Sequence, residues 1–297
     1  MRSAYSTPET GDPIRIFVGT DRTQTLAARV LEFSIRVTTR LPVDIRALCD
    51  VEIPVPKDSV NRPRTGFSFA RFLIPALCGY EGRAIYLDAD MLVFSDIAEL
   101  WRWPMGGAHV LCSDSVEDPV RRRQYSVLVM DCGKLPWRVE DIVRGLDEGR
   151  YDYRELMENL CIVPREAVSA SLPVEWNSLE RFEPGRTRLL HYTDMPTQPW
   201  VFGRNRHGDV WYSTARRALD EGFLSVDEIY QEVRRGHVNP DLPSWLGLEQ
   251  PADYEDCRRL WDPPYRRFQG PGNSWCFNSL ARWFDRVAHL GRRALGR

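Results

Sequence analysis

Residues 82–96 read GRAIYLDADMLVFSD, an apolar run broken by two carboxylates. Ile85 to Leu87 and Met91 to Phe94 have the character of buried strand. On a strand, residues two apart face the same side, so Asp88 and Asp90 converge on one point if the strand ends there. A bare carboxylate among apolar groups is costly, and two side by side repel. A divalent cation removes both costs, and oxygen ligands suit Mg2+ or Mn2+. In open α/β sheets, ligands bind beyond the carboxyl ends of the strands, which is where this pair falls. The alternative, two aspartates in a surface turn, fits poorly with apolar strand on both sides.

The rest of the chain supplies such a sheet. IRIFVGT (14–20) reads as a strand ending in a loop, and TLAARVLEFSIRVTT (25–39) has helical spacing at Leu26, Val30, Phe33 and Val37. PVDIRALCDVEI (42–53) is the next strand region, so the order implies a parallel βαβ unit. Residues 54–66 read as a loop. SFARFLIPALCGY (68–80) reads as a helix with Pro75 as an irregularity and Gly79 near its stop. SDIAELW (95–101) resembles a helix start capped by Ser95. YSVLVMDC (125–132) is a strong strand, VEDIVRGLDEG (139–149) a helix, and RTRLLHYT (186–193) a late strand delivering His191 to a loop. Beyond residue 205, helical segments (211–235) and Pro/Trp-rich loops (239–275) replace the alternation. The expected organisation is a disordered lead-in at 1–12, an α/β domain at 13–205 and a helical, loop-rich extension at 206–297.

Composition narrows the function. A chain of 297 residues with a formal net charge of -2 carries no global field for nucleic acid. No apolar stretch is long enough for a transmembrane helix, and the polar N-terminus lacks a signal-peptide core. Seven cysteines show no C-x-x-C pair, which points to reduced thiols and a cytoplasmic setting. There is no P-loop, H-E-x-x-H or G-x-S-x-G motif.

The segment FARFLIPALCGYEGRAIYLDADMLVFSDIAELW (69–101) resembles glycosyltransferase family 8, the retaining enzymes that include bacterial lipopolysaccharide galactosyl- and glucosyltransferases and glycogenin. An arginine-containing helix, a strand, D-x-D and DI-x-EL[WF] occur in the family's order, and the resemblance extends over residues 14–205. It implies the GT-A fold, a Rossmann-like mixed, mainly parallel sheet flanked by helices that binds a nucleotide-sugar. It also implies that Asp88 and Asp90 bind Mn2+ (or Mg2+) bridging the donor diphosphate. HYTDMPTQPW (191–200) resembles the family's H-Y-x-G-x-x-K-P-W, which makes His191 the third metal ligand. Asp194 stands in place of the family's glycine and Gln198 in place of its phosphate-binding lysine. Either Arg204 or Arg206 then compensates, or the loop closes differently.

Further positions follow from the same resemblance. Thr20, Asp21 and Thr23 line the base and ribose, Arg71 faces the donor, and the Ala89 amide reaches the nucleotide. Gln124 and Ser126 stand where the family has N-[AS]-G. The stretch YDYRELMENL (151–160) corresponds to the family's D-Q-D run. It makes Asp152, Arg154 and Glu155 the catalytic candidates, with Glu155 favoured and Arg154 in the glutamine slot; the alternative for all three is a charged helix surface. LPVEWNSL (172–179) resembles the family's Leu-Pro-x-x-[WY]-Asn strand, which implies a structural segment, with a place near the acceptor as the alternative for Asn177.

The expected function is metal-dependent, retaining transfer of a hexose from a UDP-sugar to a glycan or glycolipid, in cell-envelope polysaccharide synthesis. A double displacement needs a carboxylate on the β-face of the donor, whereas a front-side reaction needs only a polar group there. The tail WCFNSLARWFDRVAHLGRRALGR (275–297) reads as a basic amphipathic helix, which suits a peripheral site on the inner, anionic face of the cell membrane and a lipid-linked acceptor. Competing readings are a non-catalytic nucleotide-sugar or glycan-binding relative and a nucleotidyltransferase. The latter would want a glycine-rich phosphate loop, which VGTDRTQT imitates poorly.

Overall fold

The structure, a computed structural model, describes residues 12–63, 65, 67–114, 123–266, 276 and 277. The expected lead-in apart from Asp12, and the basic tail apart from Cys276–Phe277, lie outside the described residues. No described helix is long and apolar enough to cross a membrane.

The expected βαβ unit opens the fold. Strand β1 (Ile14–Gly19) leads through a short 3-10 turn into helix α1 (Thr25–Thr38) and back to β2 (Val43–Leu48), parallel to β1. The segment 68–80 is not one helix. Ala70–Leu73 is a 3-10 turn running into the short α2 (Ile74–Leu77), with Pro75 near its start, where a missing N–H is harmless. Next come β3 (Arg83–Asp88), β4 (Met91–Val93), α3 (Ile97–Trp101), β5 (Val110–Asp114) and β6 (Arg123–Asp131). The cap of α3 is Asp96, whose carboxylate accepts from the Ala98 amide, rather than Ser95.

Helices α4 (Val139–Asp147) and α5 (Tyr153–Asn159) precede β7 (Val168–Leu172), β8 (Ser178–Leu179) and β9 (Leu189–His191). The main sheet has the order β2-β1-β3-β6-β5-β7, with β6 antiparallel to both neighbours and the other pairings parallel. A second sheet, β4-β9-β8, pairs β4 antiparallel to β9. The extension contributes α6 (Gly208–Asp220), α7 (Val226–Arg235), α8 (Leu242–Trp245) and α9 (Tyr254–Leu260). A short ribbon follows, β10 (Tyr265–Arg266) paired with β11 (Cys276–Phe277).

The period-2 pattern of β3 divides the core. Ala84 and Tyr86 face one layer with Phe72, Leu128, Ile142 and Leu156, whereas Ile85 and Leu87 face the other with Leu31, Ile35 and Ile97. Helix α1 buries two faces. Leu31 and Ile35 lie on the sheet, and Leu26, Val30 and Phe33 pack with Trp200, Trp211, Ala215 and Ile229. Each fully buried Leu, Ile or Phe stabilises by about 1.5–3 kcal/mol relative to exposure. The helices after residue 205 are therefore anchored to the helix that follows the first loop.

The carboxyl ends of β1 and β3 are aligned, with Gly19 opposite Asp88. A Cβ on Gly19 would lie 2.2 Å from the Tyr86 hydroxyl and within 2.9 Å of its ring. Glycine there lets the buried Tyr86 pass beneath the strand and donate to Asp88 at 2.5 Å. Gly19→Ala is expected to destabilise the protein by about 1–3 kcal/mol through overpacking. In a Tyr86→Phe background, which removes the nearest atom, the penalty should shrink. Denaturant titration of the four-member cycle tests this, and strict additivity would sink the idea.

Candidate metal and donor site

The two aspartates do not sit on one strand. Asp88 is the last residue of β3, and Asp90 directly precedes β4 in the other sheet. Between them Ala89 is fully buried and its amide donates to the Gly19 carbonyl at 3.0 Å, so that amide is engaged within the protein. The register of β4 and β9 sets Met91 against His191, and the Tyr192 amide donates to the Asp90 carbonyl at 2.9 Å. This pairing brings His191 to the aspartates. Ligand atoms of Asp88, Asp90 and His191 all lie within 4.8 Å of one another.

Each of these groups is held by a buried polar side chain. Tyr86 donates to Asp88. Gln198 Nε2 donates to Asp90 Oδ2 at 2.8 Å and to the Tyr192 carbonyl at 2.9 Å. His191 Nδ1 lies 3.0 Å from Asn177 Oδ1, and Asn177 Nδ2 donates to Ser126 Oγ at 3.1 Å. With Nδ1–H directed to Asn177, the lone pair of His191 is on Nε2, 3.1 Å from Asp90 Oδ1. Asp90 Oδ1 is buried and accepts no hydrogen bond. A hard, oxygen-rich donor set with one imidazole, an unfilled carboxylate oxygen and two negative charges fits Mn2+ or Mg2+.

Electrostatics agree with the geometry. Burial, more than the neighbouring Asp90, raises the Asp88 pKa, while Arg71 opposes the rise. Burial pulls His191 down, but Asp90, Asp88 and Glu180 outweigh it and raise its pKa above the ordinary value. Arg71 is buried, with Nη2 3.6 Å from Asp88, Nη1 donating to the Tyr125 carbonyl at 2.6 Å and the guanidinium over the Tyr86 ring at 4.6 Å. Its charge therefore stands behind Asp88.

The residues expected to line the base lie on or near the loop after β1. Thr20 is buried and its hydroxyl donates to the Asp21 carbonyl at 3.1 Å. Asp21 caps the 3-10 turn, accepting from the Thr23 amide at 2.9 Å and the Thr23 hydroxyl at 2.6 Å. Gln124 lies on β6 opposite Ser113. Gln198, expected at the diphosphate, is buried on Asp90, and Arg204 and Arg206 are exposed.

The catalytic candidates are placed differently. Asp152 and Glu155 form a reciprocal capping box at the start of α5, and Arg154 pairs with Glu158 at 2.8 Å. Among the described residues their hydrogen bonds stay on that helix. Sequence reasoning missed Tyr86 as a holder of Asp88 and the contact of Asn177 with His191.

The fold is of the GT-A type, and Asp88, Asp90 and His191 form a group at its site that could hold a metal ion. Residues 42–153 match the model of Glycosyl transferase family 8, which bears out the resemblance over that span. The chain is 28% identical over 225 residues to Protein CDI of Arabidopsis thaliana, covering 67% of this chain and 81% of that one. Among solved structures it is similar to WbbM, a bifunctional glycosyltransferase (TM-score 0.54, 15% identity, 73% of this chain and 52% of that one). It is also similar to the glycosyltransferase GlyE of Streptococcus pneumoniae TIGR4 (TM-score 0.52, 17% identity, 71% and 64%). The chain thus spans between half and two thirds of those two structures. The family match and the GT-A fold support a glycosyl-transfer role.

Two outcomes are expected. Asn177→Ala should weaken Mn2+ binding by about 10–100-fold, because the imidazole loses the partner that fixes its tautomer. Mn2+ affinity should also fall as pH drops from about 8 to 5, since His191 must lose its proton to bind metal and its pKa is raised. In metal-free protein the sign reverses: the protonated His191–Asp90 pair stabilises at low pH and that contribution fades as pH rises through the raised pKa. Mn2+ titrations across this range, with denaturation of chelator-treated protein, check both signs.

Proposed function

We propose that this protein is a metal-dependent retaining glycosyltransferase that moves a hexose from a UDP-sugar to a glycan or glycolipid acceptor. The observation that carries the reading is the convergence of Asp88, Asp90 and His191 at the carboxyl end of the sheet, each on its own buried support. Those three residues would hold Mn2+ or Mg2+, which supplies Lewis-acid stabilisation of the leaving diphosphate.

The chain's own residues account for the rest. Thr20, Asp21 and Thr23 line the nucleoside end, and the rigid end of β3 fixes its distance from the metal ligands. Positioning of this kind contributes a large part of the barrier lowering in group transfer. Arg71 balances Asp88 from behind. Because Asp152 and Glu155 are engaged in the cap of α5, the front-side route, which needs no carboxylate nucleophile, is favoured over double displacement.

A second reading is a relative that binds nucleotide-sugar without turnover. Gln198 favours it, since the position that holds a phosphate-binding cation in the resembled family carries a neutral amide turned onto Asp90. Calorimetric titration of UDP with and without Mn2+ should show metal-dependent binding in the wild type. Asp90→Ala and His191→Ala should lose it, a decrease of at least about tenfold. A screen of UDP-sugars for transfer or slow hydrolysis then separates the readings: binding without turnover of any donor supports the second, and metal-independent UDP binding contradicts the first.

A further inference from the structure

After His191 the chain turns back on the corner it has just left. The Glu180 carboxylate accepts from the Asp194 amide at 2.9 Å, and Thr197 bonds Asp194 through its amide at 2.8 Å and its hydroxyl at 2.7 Å. Gln198 precedes Pro199, which keeps it extended (φ −54°, ψ 143°), and Trp200 packs on Tyr192 and Trp211. The Gln198 carbonyl accepts from the Val201 and Phe202 amides, both at 2.9 Å. The backbone of Gln198 is thus held from both sides.

Its side chain is 1% exposed, and Nε2 donates to two acceptors, Asp90 Oδ2 at 2.8 Å and the Tyr192 carbonyl at 2.9 Å. Because both partners only accept, the nitrogen must face them. The Tyr192 amide in turn donates to the Asp90 carbonyl at 2.9 Å. A closed ring of hydrogen bonds therefore joins Asp90, Tyr192 and Gln198, and the Asp90 carboxylate cannot turn without breaking it. This fixes which oxygen is left over: Oδ1, which accepts no hydrogen bond and lies 3.1 Å from His191 Nε2. A lysine at position 198 could also bond the carboxylate, but its charge would balance Asp90. An apolar residue would leave both oxygens free to turn. The amide fixes the geometry and preserves the negative charge.

We propose that Gln198 is a positioning residue for the metal corner: it presents Asp90 Oδ1 beside His191, so that the corner takes its divalent ion before any nucleotide arrives, and it makes no contact with the donor. This rests on the metal-dependent reading above. It departs from the resembled family, in which the residue at this position holds the diphosphate.

The test titrates Mn2+ into the full chain without nucleotide, following the spin-resonance signal of the free ion, and then titrates UDP at saturating Mn2+. The variants are Gln198→Met, which keeps the length and loses the donor, and Gln198→Lys, which keeps a donor and adds a charge. The wild type should bind Mn2+ alone. Gln198→Met should weaken that binding by about 10–100-fold, and Gln198→Lys by at least as much, because the ammonium competes with the ion for Asp90. UDP affinity at saturating Mn2+ should fall far less than Mn2+ affinity does. Thermal melting in chelator measures what each substitution costs the fold. A lower melting temperature with unchanged Mn2+ affinity makes the residue structural only and overturns the proposal. Weaker UDP binding at saturating Mn2+ with unchanged Mn2+ affinity also overturns it, making Gln198 a donor contact. If one variant does not fold, the other decides, and unchanged Mn2+ affinity in it is the overturning result. A wild type that binds Mn2+ only together with UDP refutes this inference and leaves the donor reading standing. A wild type that binds neither refutes both.

Discussion

The site depends on one strand pairing. The chain leaves the main sheet at Asp88, turns at Ala89 and enters the second sheet at Met91, where β9 lies antiparallel with His191 opposite Met91. A slip of one residue in that register would turn His191 to the other face. Several contacts hold the corner: the Ala89 amide on Gly19, the Tyr192 amide on Asp90, and the Val93 amide on the Ser34 hydroxyl of α1. Candidate metal ligands far apart in sequence are thereby fixed by backbone hydrogen bonds rather than by flexible loops.

The charges at this corner explain why a cation belongs there. Asp88 has Arg71 behind it at 3.6 Å, whereas the side-chain partners of Asp90 among the described residues are an imidazole and a neutral amide. Protonated His191 can balance Asp90, at the cost of the lone pair that binds metal. A divalent ion balances both carboxylates and leaves the imidazole neutral. The amide of Gln198 suits this arrangement, because it fixes Asp90 Oδ2 without competing for charge and leaves Oδ1 unfilled.

Much of this was legible in the sequence, and the rest was not for identifiable reasons. The βαβ start, the late strand carrying His191 and the two aspartates follow from periodicity and from burial of charge. The break between β3 and β4 does not, because residues 85–94 are apolar on both sides of the aspartates and the partner of β4 lies far along the chain. The helix expected at 68–80 failed where Pro75 confined α-helix to Ile74–Leu77. Asp152 and Glu155 were legible in another way: D-x-x-E before a helix is the capping-box pattern, and the structure uses it so. Asn177 was singled out by its segment but its role behind His191 was not, since an asparagine behind a histidine is recognisable only once the strands are assembled.

The extension bears on how the site should be divided into parts. A helical appendage that served only as an anchor would need little contact with the loop after β1. Here α6 and α7 pack on the outer face of α1, and Gln24, at the N-cap of α1, follows Asp21 and Thr23 in the 3-10 turn that leads into it. The capping box of α7 and the left-handed Gly236 that ends it direct His237 back onto Glu232 at 2.7 Å, within electrostatic reach of Asp21. The loop after β1 is thus held from the sheet side by Gly19 and from the extension side by α1 and Tyr265, whose hydroxyl hydrogen-bonds that of Thr23. Displacing the extension would loosen the loop after β1 while leaving the corner that carries Asp88, Asp90 and His191, built on β3, β4 and β9, intact.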